Sequence, residues 1–210
     1  MIATVLAVAA RMIAGARVRW VDCVPDTHQR IYFANHTSHF DFVVLWSALP
    51  PELRTLTRPV AAQDYWGKGT IRRYLVTSIF KGVLVARGQP AIGRTPDGVV
   101  MAARDTVNRV AEALGNRNSL IIFPEGTRGT GAAIAPFKSG IYHLCCERPD
   151  VELVPVYLEN LNRILPKGTF LPIPLLSSVT FGPPIQFTNG EDKATFLGRA
   201  REALCNLKPA

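Results

Sequence analysis

The chain has 210 residues, long enough for one domain with a full hydrophobic core, and 48% of them are hydrophobic, which excludes a disordered chain. Its formal net charge of +8 favours anionic partners: phosphates, anionic lipid head groups, an acidic carrier protein or nucleic acid. Nucleic acid is not predicted, because the sequence has no basic helix, zinc-finger spacing or aromatic–basic RNA-binding motif.

The amino terminus predicts an amphipathic helix. Residues 2–10 are apolar except for Thr4, and Arg11, Arg17 and Arg19 follow them. The run is shorter than the roughly 20 residues of a membrane-spanning helix, and a signal peptide would carry its charges before the run. We expect residues 1–20 to form a membrane-associating helix and a first strand, and residues 21–210 the main domain. The alternative is an ordinary packed first helix.

Apolar β-branched runs alternate with helical patterns along the rest of the chain. The predicted strands are 18–21, 31–34, 58–62, 82–86, 119–123, 151–158, 177–181 and 185–187, and the predicted helices are 41–49, 70–80, 97–114, 138–146 and 191–207. Pro155 lies inside a predicted strand, which indicates an edge, an end or a bulge. The alternation predicts an α/β fold: a single domain with a mostly parallel central sheet flanked by helices.

The four cysteines form no Cys-x-x-Cys pair. This usage favours a reducing compartment. We expect all four to be small buried side chains.

A histidine and an acid follow the predicted strand 31–34, in the segment Asn35-His36-Thr37-Ser38-His39-Phe40-Asp41. Five residues on a regular helix turn about 140° away from each other, so His36 and Asp41 meet only if a turn precedes the helix. Asp41 could then bind one imidazole nitrogen and leave the other free to take a proton as a general base.

A second polar turn, Phe123-Pro124-Glu125-Gly126-Thr127-Arg128, follows the predicted strand 119–123. Gly126 allows close backbone approach to an anion, Thr127 adds a hydroxyl, and Arg128 offers a planar fork that matches phosphate oxygens. Glu125 is expected to organise the turn rather than to touch phosphate. The alternative is a solvated turn with a surface ion pair.

Two further cations are candidates for the same anion site. Arg87 follows the predicted strand 82–86 and is either part of the site or ordinary surface charge. Lys138 stands at the start of a predicted helix, where the backbone dipole disfavours a cation, which favours an anionic ligand nearby.

Four segments in this order resemble the conserved blocks of the glycerolipid acyltransferases, in particular the short bacterial 1-acylglycerol-3-phosphate acyltransferases. They are Asn35-His36-x4-Asp41, Lys81 to Arg87, Phe123 to Arg128, and Val154-Pro155-Val156. The resemblance runs from about Tyr32 to Tyr157. The first and third segments together are highly specific, whereas the other two alone are weak.

The resemblance implies transfer of a fatty acyl group from acyl-CoA or acyl carrier protein to a lysophospholipid hydroxyl, with lysophosphatidic acid as the expected acceptor. It implies His36 as base and Asp41 as its partner, and no metal or organic cofactor. It implies that the acceptor phosphate is held by Arg87, Glu125, Gly126, Thr127 and Arg128, to which the charge argument adds Lys138. The predicted location is the cytoplasmic face of the inner membrane, where the protein is peripheral or monotopic.

Other functions remain open at this point. A metallohydrolase could use His36, His39 and Asp41, although no distant third ligand is evident. A non-catalytic lipid-binding protein would not need the base. A serine hydrolase is disfavoured because no Gly-x-Ser-x-Gly elbow is present. Another lysolipid, such as a lyso-ornithine lipid, is an alternative acceptor.

Overall fold

The computed structural model describes residues 2–86, 96–161 and 176–209. The strands in these ranges are β1 (Ala16–Trp20), β2 (Arg30–Ala34), β3 (Thr57–Ala62), β4 (Val83–Val85), β5 (Ser119–Ile122), β6 (Glu152–Glu159) and β7 (Ser177–Phe181). The helices are α1 (Ile2–Ala14), α2 (Asp41–Ala48), α3 (Pro51–Leu56), α4 (Gln63–Trp66), α5 (Thr70–Tyr74), α6 (Pro96–Leu114), α7 (Gly140–Glu147) and α8 (Lys193–Cys205).

These strands form a single sheet in the order β1-β7-β6-β2-β5-β3-β4. The neighbours from β6 to β4 are parallel, whereas β7 runs antiparallel to β6 and β1 runs parallel to β7. The predicted mostly parallel sheet flanked by helices is therefore confirmed. The first strand, predicted as part of an amino-terminal unit, is an edge strand of this sheet.

The central strands are buried on both faces because helices cover both. All five residues of β2 and all four of β5 are buried, as expected for parallel strands that carry continuous apolar runs. One face packs against α1 and α2 in a core that includes Ala7 and Leu45. The opposite face packs against α6, α7 and α8.

Pro155 lies in the internal strand β6, next to the position where the pairing of β6 with β7 begins. Its carbonyl accepts a hydrogen bond from the backbone N–H of Gly182 at 2.9 Å, and the pairing of β6 with β7 begins at Val156. The N–H and C=O of one strand residue point to the same side, so the missing N–H of Pro155 faces β7 where that ladder ends. Pro155 therefore lies neither at an edge nor at the end of β6; it lies mid-strand, one residue before the ladder with β7 begins.

Several predicted boundaries differ from the structure. The predicted strand 185–187 is reduced to one antiparallel bridge between Ile185 and Leu153. The predicted helix 70–80 changes after α5 into a π-helical turn, Leu75–Ile79. The helix predicted from Lys138 begins two residues later, at Gly140.

The cysteine prediction holds only in part. All four cysteines are free; Cys145 is buried, Cys23 and Cys205 are half-buried, and Cys146 is exposed. Burial raises the pKa of the Cys145 thiol to about 12, which keeps it protonated and unreactive. For Cys146 the expectation of a buried side chain is wrong.

Candidate active site

The two predicted polar turns meet at the carboxyl edge of the sheet. β2 and β5 are parallel neighbours, with Phe33 beside Ile122 at their last paired position. The chain that leaves β2 towards α2 and the chain that leaves β5 therefore start side by side.

His36 and Asp41 form a hydrogen-bonded pair. The distance from His36 Nδ1 to Asp41 Oδ2 is 2.9 Å, and the imidazole side chain is 14% exposed while that of Asp41 is fully buried. Residues 35–38 are not helical and α2 begins at Asp41. The predicted turn before the helix is thus confirmed.

Backbone amides fix the direction of this hydrogen bond. Asp41 Oδ2 also accepts the N–H of Thr37 at 2.6 Å and the N–H of Ser38 at 2.8 Å. An oxygen that accepts from two amides is suited to the ionised carboxylate, which has no proton to give. His36 Nδ1 is then the donor, and Nε2 carries the lone pair.

The position of Asp41 also favours its charge. It is the first residue of α2, where the helix dipole stabilises an anion. Its second oxygen, Oδ1, is buried and has no hydrogen-bond partner. Thr37 Oγ1 is likewise buried and without a hydrogen-bond partner. Buried polar atoms without partners are costly and concentrate at functional sites.

Two further residues hold the histidine turn and were given no role by the sequence. The ring of Phe123 stacks on His36 with 4.4 Å between ring centroids. The Asn35 amide donates to the carbonyl of Leu158 at 2.9 Å and accepts its N–H at 2.8 Å. Asn35 directly precedes His36 and Phe123 lies two residues before Glu125, and these positions were the available signal, but only the fold shows what the two side chains contact.

Glu125 joins the turn after β2 to two parts of the loop between β5 and α7. It is 3% exposed, and its Oε1 accepts the backbone N–H of His36 at 2.7 Å, 89 residues away. Its Oε2 accepts the N–H of Ala135 at 2.9 Å. The predicted organising role agrees with this geometry, while a direct contact between Glu125 and substrate stays a prediction.

The remainder of the second turn faces solvent. Gly126 and Thr127 are exposed and Arg128 is half-buried. Gly126 has φ +72°, the left-handed region that favours glycine, and a Cβ there would lie 3.2 Å from Lys138 Cγ. Lys138 therefore lies against this turn, and its N–H donates to Pro124 O at 2.7 Å. Thus two cations flank one glycine turn.

A narrow depression, about 300 Å³ including its open mouth, adjoins the histidine. Its lining includes His36, Thr37 and Glu125, together with two residues that the sequence did not indicate, Tyr157 and Lys208. Burial, with Glu159 and Cys205 nearby, raises the pKa of Tyr157 and keeps the phenol neutral. Both residues come from distant parts of the chain, so no local pattern marks them.

The structure thus brings together some predicted site residues and not others. His36, Asp41 and Glu125 are in contact. Arg128 and Lys138 belong to the adjacent turn and do not line the depression that contains His36. Arg87 lies outside the described residues.

The second sequence segment has a structural explanation for its glycine. A Cβ on Gly82 would lie 2.8 Å from Val76 Cγ2 and 3.0 Å from Pro59 O, so a side chain would collide where β4 begins. Lys81 before it adopts φ +49°. In the fourth segment, Val154 and Val156 are buried in the core on the α2 face of the sheet.

His39 does not join the pair. Its ring stacks on Tyr65 with 3.5 Å between centroids and an interplanar angle of 7°. Within residues 2–86, 96–161 and 176–209, no group of three or more His, Cys, Asp or Glu side chains is placed to hold a metal ion.

An imidazole oriented by a buried carboxylate, beside a cationic turn at the carboxyl edge of a parallel sheet, is the arrangement of enzymes that activate a hydroxyl group near an anionic substrate. The family model described as Acyltransferase matches residues 16–159. The chain belongs to the acyltransferase family.

Individual relatives agree with this assignment. The 1-acyl-sn-glycerol-3-phosphate acyltransferase of Limnanthes douglasii is 29% identical over 185 residues, which cover 82% of this chain and 59% of that protein. The Escherichia coli (strain K12) protein of the same name is 29% identical over 147 residues, 64% of this chain and 51% of that protein. The chain therefore spans about half to three fifths of the length of these curated relatives.

A solved structure has the same fold. The crystal structure of the 1-acyl-sn-glycerophosphate (LPA) acyltransferase PlsC from Thermotoga maritima superposes with a TM-score of 0.68 at 17% identity. The match covers 99% of this chain and 79% of that one. At this identity the likeness establishes the fold alone.

Proposed function

We propose that this protein transfers a fatty acyl group from an acyl thioester to the free hydroxyl of 1-acyl-sn-glycerol-3-phosphate, forming phosphatidic acid. The observation that carries the proposal is the His36–Asp41 pair, with its 2.9 Å hydrogen bond and the two amides that hold the carboxylate. Binding alone needs no oriented base, so this pair favours catalysis over a purely lipid-binding role.

The proposed reaction needs no acyl-enzyme. The acceptor hydroxyl gives its proton to His36 Nε2 while its oxygen attacks the thioester carbonyl carbon. The carbon–sulfur bond breaks, and the departing thiolate takes the proton back from the imidazolium. Asp41 stabilises the imidazolium that forms between these steps. The proposed donor is acyl-CoA or acyl carrier protein, and the proposed reaction uses no resident cofactor.

Charge supports a phosphorylated acceptor. In the described part of the chain, the guanidinium of Arg128 makes no hydrogen bond or ion pair, and it stands in a turn that Lys138 also contacts. Two cations beside an exposed glycine turn suit a phosphate monoester. Arg87, Gly126, Thr127 and Arg128 are the proposed phosphate-binding residues, with Lys138 beside them.

A panel of acceptors tests the proposal. Purified protein is incubated with one acyl thioester and several lysolipids, and the products are identified by mass. We expect phosphatidic acid from 1-acylglycerol-3-phosphate as the main product. A main product from a lyso-ornithine lipid would assign the alternative acceptor, and no thioester consumption with any lysolipid would reject the function.

We also propose that α1 holds the protein at the cytoplasmic face of the cell membrane. Ala7, Ala10 and Ala14 bury one side of this helix, and the side chains exposed on it are Ile2, Val5, Val8, Met12 and Ile13. Arg11 lies on the exposed side, where it can reach anionic head groups. No helix in the described ranges has both the length and the apolar content needed to cross a bilayer.

Flotation with vesicles containing anionic lipid tests this second proposal. Met12→Glu places a charge on the exposed apolar face of α1, where Met12 is 77% exposed, and should reduce binding several-fold. Met101→Glu is the matched control, because Met101 is 65% exposed but lies on α6, across the sheet. Equal binding by both variants would contradict the role of α1.

A further inference from the structure

An arginine on the last helix binds the loop beside the histidine turn. Arg201, on α8, donates to the carbonyl of Ile134 from Nε at 3.1 Å and from Nη2 at 2.7 Å. Ile134 belongs to the loop between β5 and α7 and lines the depression that adjoins His36. In the described part of the chain these are the only hydrogen bonds of the Arg201 guanidinium, and no carboxylate forms an ion pair with it. Its bonding capacity is thus directed at one backbone oxygen.

The peptide group that Arg201 binds is held from its other side by Glu125. The C=O of Ile134 and the N–H of Ala135 belong to one peptide group, and this N–H donates to Glu125 Oε2 at 2.9 Å. In a planar trans peptide group the two point in opposite directions. A cation therefore faces the oxygen and a carboxylate faces the N–H. Hydrogen bonds to ionised groups are roughly twice as strong as neutral ones, and bonds in a series strengthen one another.

Glu125 connects this peptide group to the proposed base. Its Oε1 accepts the N–H of His36 at 2.7 Å. On the other side of the residue, the C=O of His36 accepts the N–H of Gly129 at 2.8 Å, and Gly129 lies in the same loop as Ile134. The peptide groups before and after His36 are therefore both fixed by contacts with the loop between β5 and α7.

Packing does little to fix this part of the loop. Residues 130–133 are exposed, and none has a side chain larger than that of threonine. Such side chains bury little apolar surface, so they contribute little to holding the backbone in place. The hydrogen bonds of Arg201 and Glu125 at the next peptide group are the contacts that fix the end of this exposed segment.

We propose that Arg201 is a positioning residue for His36, acting through the Ile134–Ala135 peptide group and Glu125. The proposal rests on the proposed acyl transfer, in which His36 is the base. A displacement of about 1 Å at a reacting group can cost about 10²-fold in rate. Without Arg201 the peptide group loses its cationic partner, the Glu125 carboxylate is held less firmly, and the backbone of His36 is less well placed.

Steady-state kinetics distinguish positioning from substrate contact. Arg201→Ala should lower kcat about 10–100-fold and leave KM for both substrates unchanged. Arg201→Lys should recover most of the loss, because both hydrogen bonds meet at one oxygen, which a single ammonium group can also bind. A raised KM for either substrate with kcat unchanged would overturn the proposal.

Arg199→Ala is the matched control. Arg199 lies on the same helix, about 200° around its axis from Arg201, and binds Glu191 at 2.7 Å and the carbonyl of Gln186 at 2.9 Å. These contacts do not lead to His36, so this variant should keep kcat within about twofold of the wild type. An equal loss of kcat in both variants would overturn the proposal.

A double-mutant cycle tests whether Arg201 acts through His36. In a His36→Ala background, Arg201→Ala should lower the residual rate less than about twofold, because the residue that it positions is already absent. A role in general packing would lower the rate by the same factor in both backgrounds, and that result would overturn the proposal.

Amide hydrogen exchange measured by NMR tests the same contacts without activity. Arg201→Ala should speed the exchange of the Ala135 and His36 N–H groups about tenfold or more, and Arg199→Ala should leave both rates unchanged. If Arg201→Ala does not fold, Arg201→Gln, which keeps an uncharged donor, replaces it in each comparison. Unchanged exchange in the folded variant would overturn the proposal. If exchange rises but the wild type transfers no acyl group, the hydrogen-bonded connection from Arg201 to His36 stands and the proposed function fails.

Discussion

The amino and carboxyl edges of the central sheet differ in how completely their polar side chains are hydrogen-bonded. At the amino edge, Arg148 donates a hydrogen bond to Gln29 Oε1. Gln29 Nε2 in turn donates to the backbone carbonyls of Leu114, Gly115 and Asn118. At the carboxyl edge, Asp41 Oδ1 and Thr37 Oγ1 are buried without a partner. Among the described residues, these are the two buried side-chain nitrogen or oxygen atoms that lack a hydrogen-bond partner.

This difference indicates what each edge does. Complete hydrogen bonding at the amino edge closes the bottom of the fold and contributes to stability. Polar groups at the carboxyl edge are held by a few strong hydrogen bonds, but some of their atoms have no hydrogen-bond partner. Such atoms are available for binding and catalysis. Substitutions at the two edges should therefore separate activity from stability.

The largest effect is expected for His36→Ala. Removing the base should lower the acyl transfer rate about 10²–10⁴-fold, while the variant stays folded because Asp41 Oδ2 keeps the N–H donors of Thr37 and Ser38. His28→Ala is the matched control, since that side chain is 75% exposed on the loop before β2. Near-normal turnover by His36→Ala would remove His36 from the mechanism.

Asp41→Asn should come next. The amide oxygen can still accept the N–H groups of His36, Thr37 and Ser38, but it carries no charge to stabilise an imidazolium, so we expect a rate loss within the range of about 10²–10⁴-fold that general-base catalysis supplies. The amide NH₂ would replace Oδ1, which has no partner, and a buried unsatisfied donor costs about 1–3 kcal/mol. Rate and chemical denaturation measured on the same sample test both effects. A variant that lost stability but kept full activity would make Asp41 purely structural.

Arg128→Ala should act on one substrate only. Loss of a charge-assisted contact to phosphate should raise KM for 1-acylglycerol-3-phosphate roughly 10–100-fold, with KM for the acyl donor unchanged. Titration of each substrate in turn measures the two constants. Arg117→Ala, at an exposed turn on the amino edge, is the control. Equal effects on donor and acceptor would argue against the phosphate role.

Arg148→Ala should reduce stability and leave activity intact. Arg148 donates to Asp150 Oδ1 at 3.0 Å, to Gln29 Oε1 at 2.8 Å and to the carbonyl of Gly115. We expect a loss of about 1–3 kcal/mol in the free energy of unfolding, with kcat and KM unchanged at a temperature where the variant is folded. A lower kcat of the folded variant would contradict the inference that the amino edge contributes to stability and not to activity.

The pH dependence of this variant gives a further check. The hydrogen bond from Arg148 lowers the pKa of Asp150. The resulting stabilisation is present above the ordinary Asp pKa of about 4 and is lost as pH falls below it. The stability difference between wild type and Arg148→Ala should therefore narrow in acid.

The sequence predicted the sheet class and the positions of both polar turns, and the physical reason is local. A strand whose residues are all apolar, such as 31–34, has apolar side chains on both of its faces. Burying both faces favours a parallel sheet covered by helices on each side. The spacing of His36 and Asp41 could be satisfied only by a turn before a helix. These features depend on residues that are near each other in the chain.

Tertiary structure alone decided which groups complete the site. Glu125 reaches the amide of His36 across 89 residues and Asn35 reaches Leu158 across 123, and Tyr157 and Lys208 join the depression from other elements. Such contacts depend on how strands are ordered in the sheet and how the crossovers pack, and no local pattern of residue types contains that information.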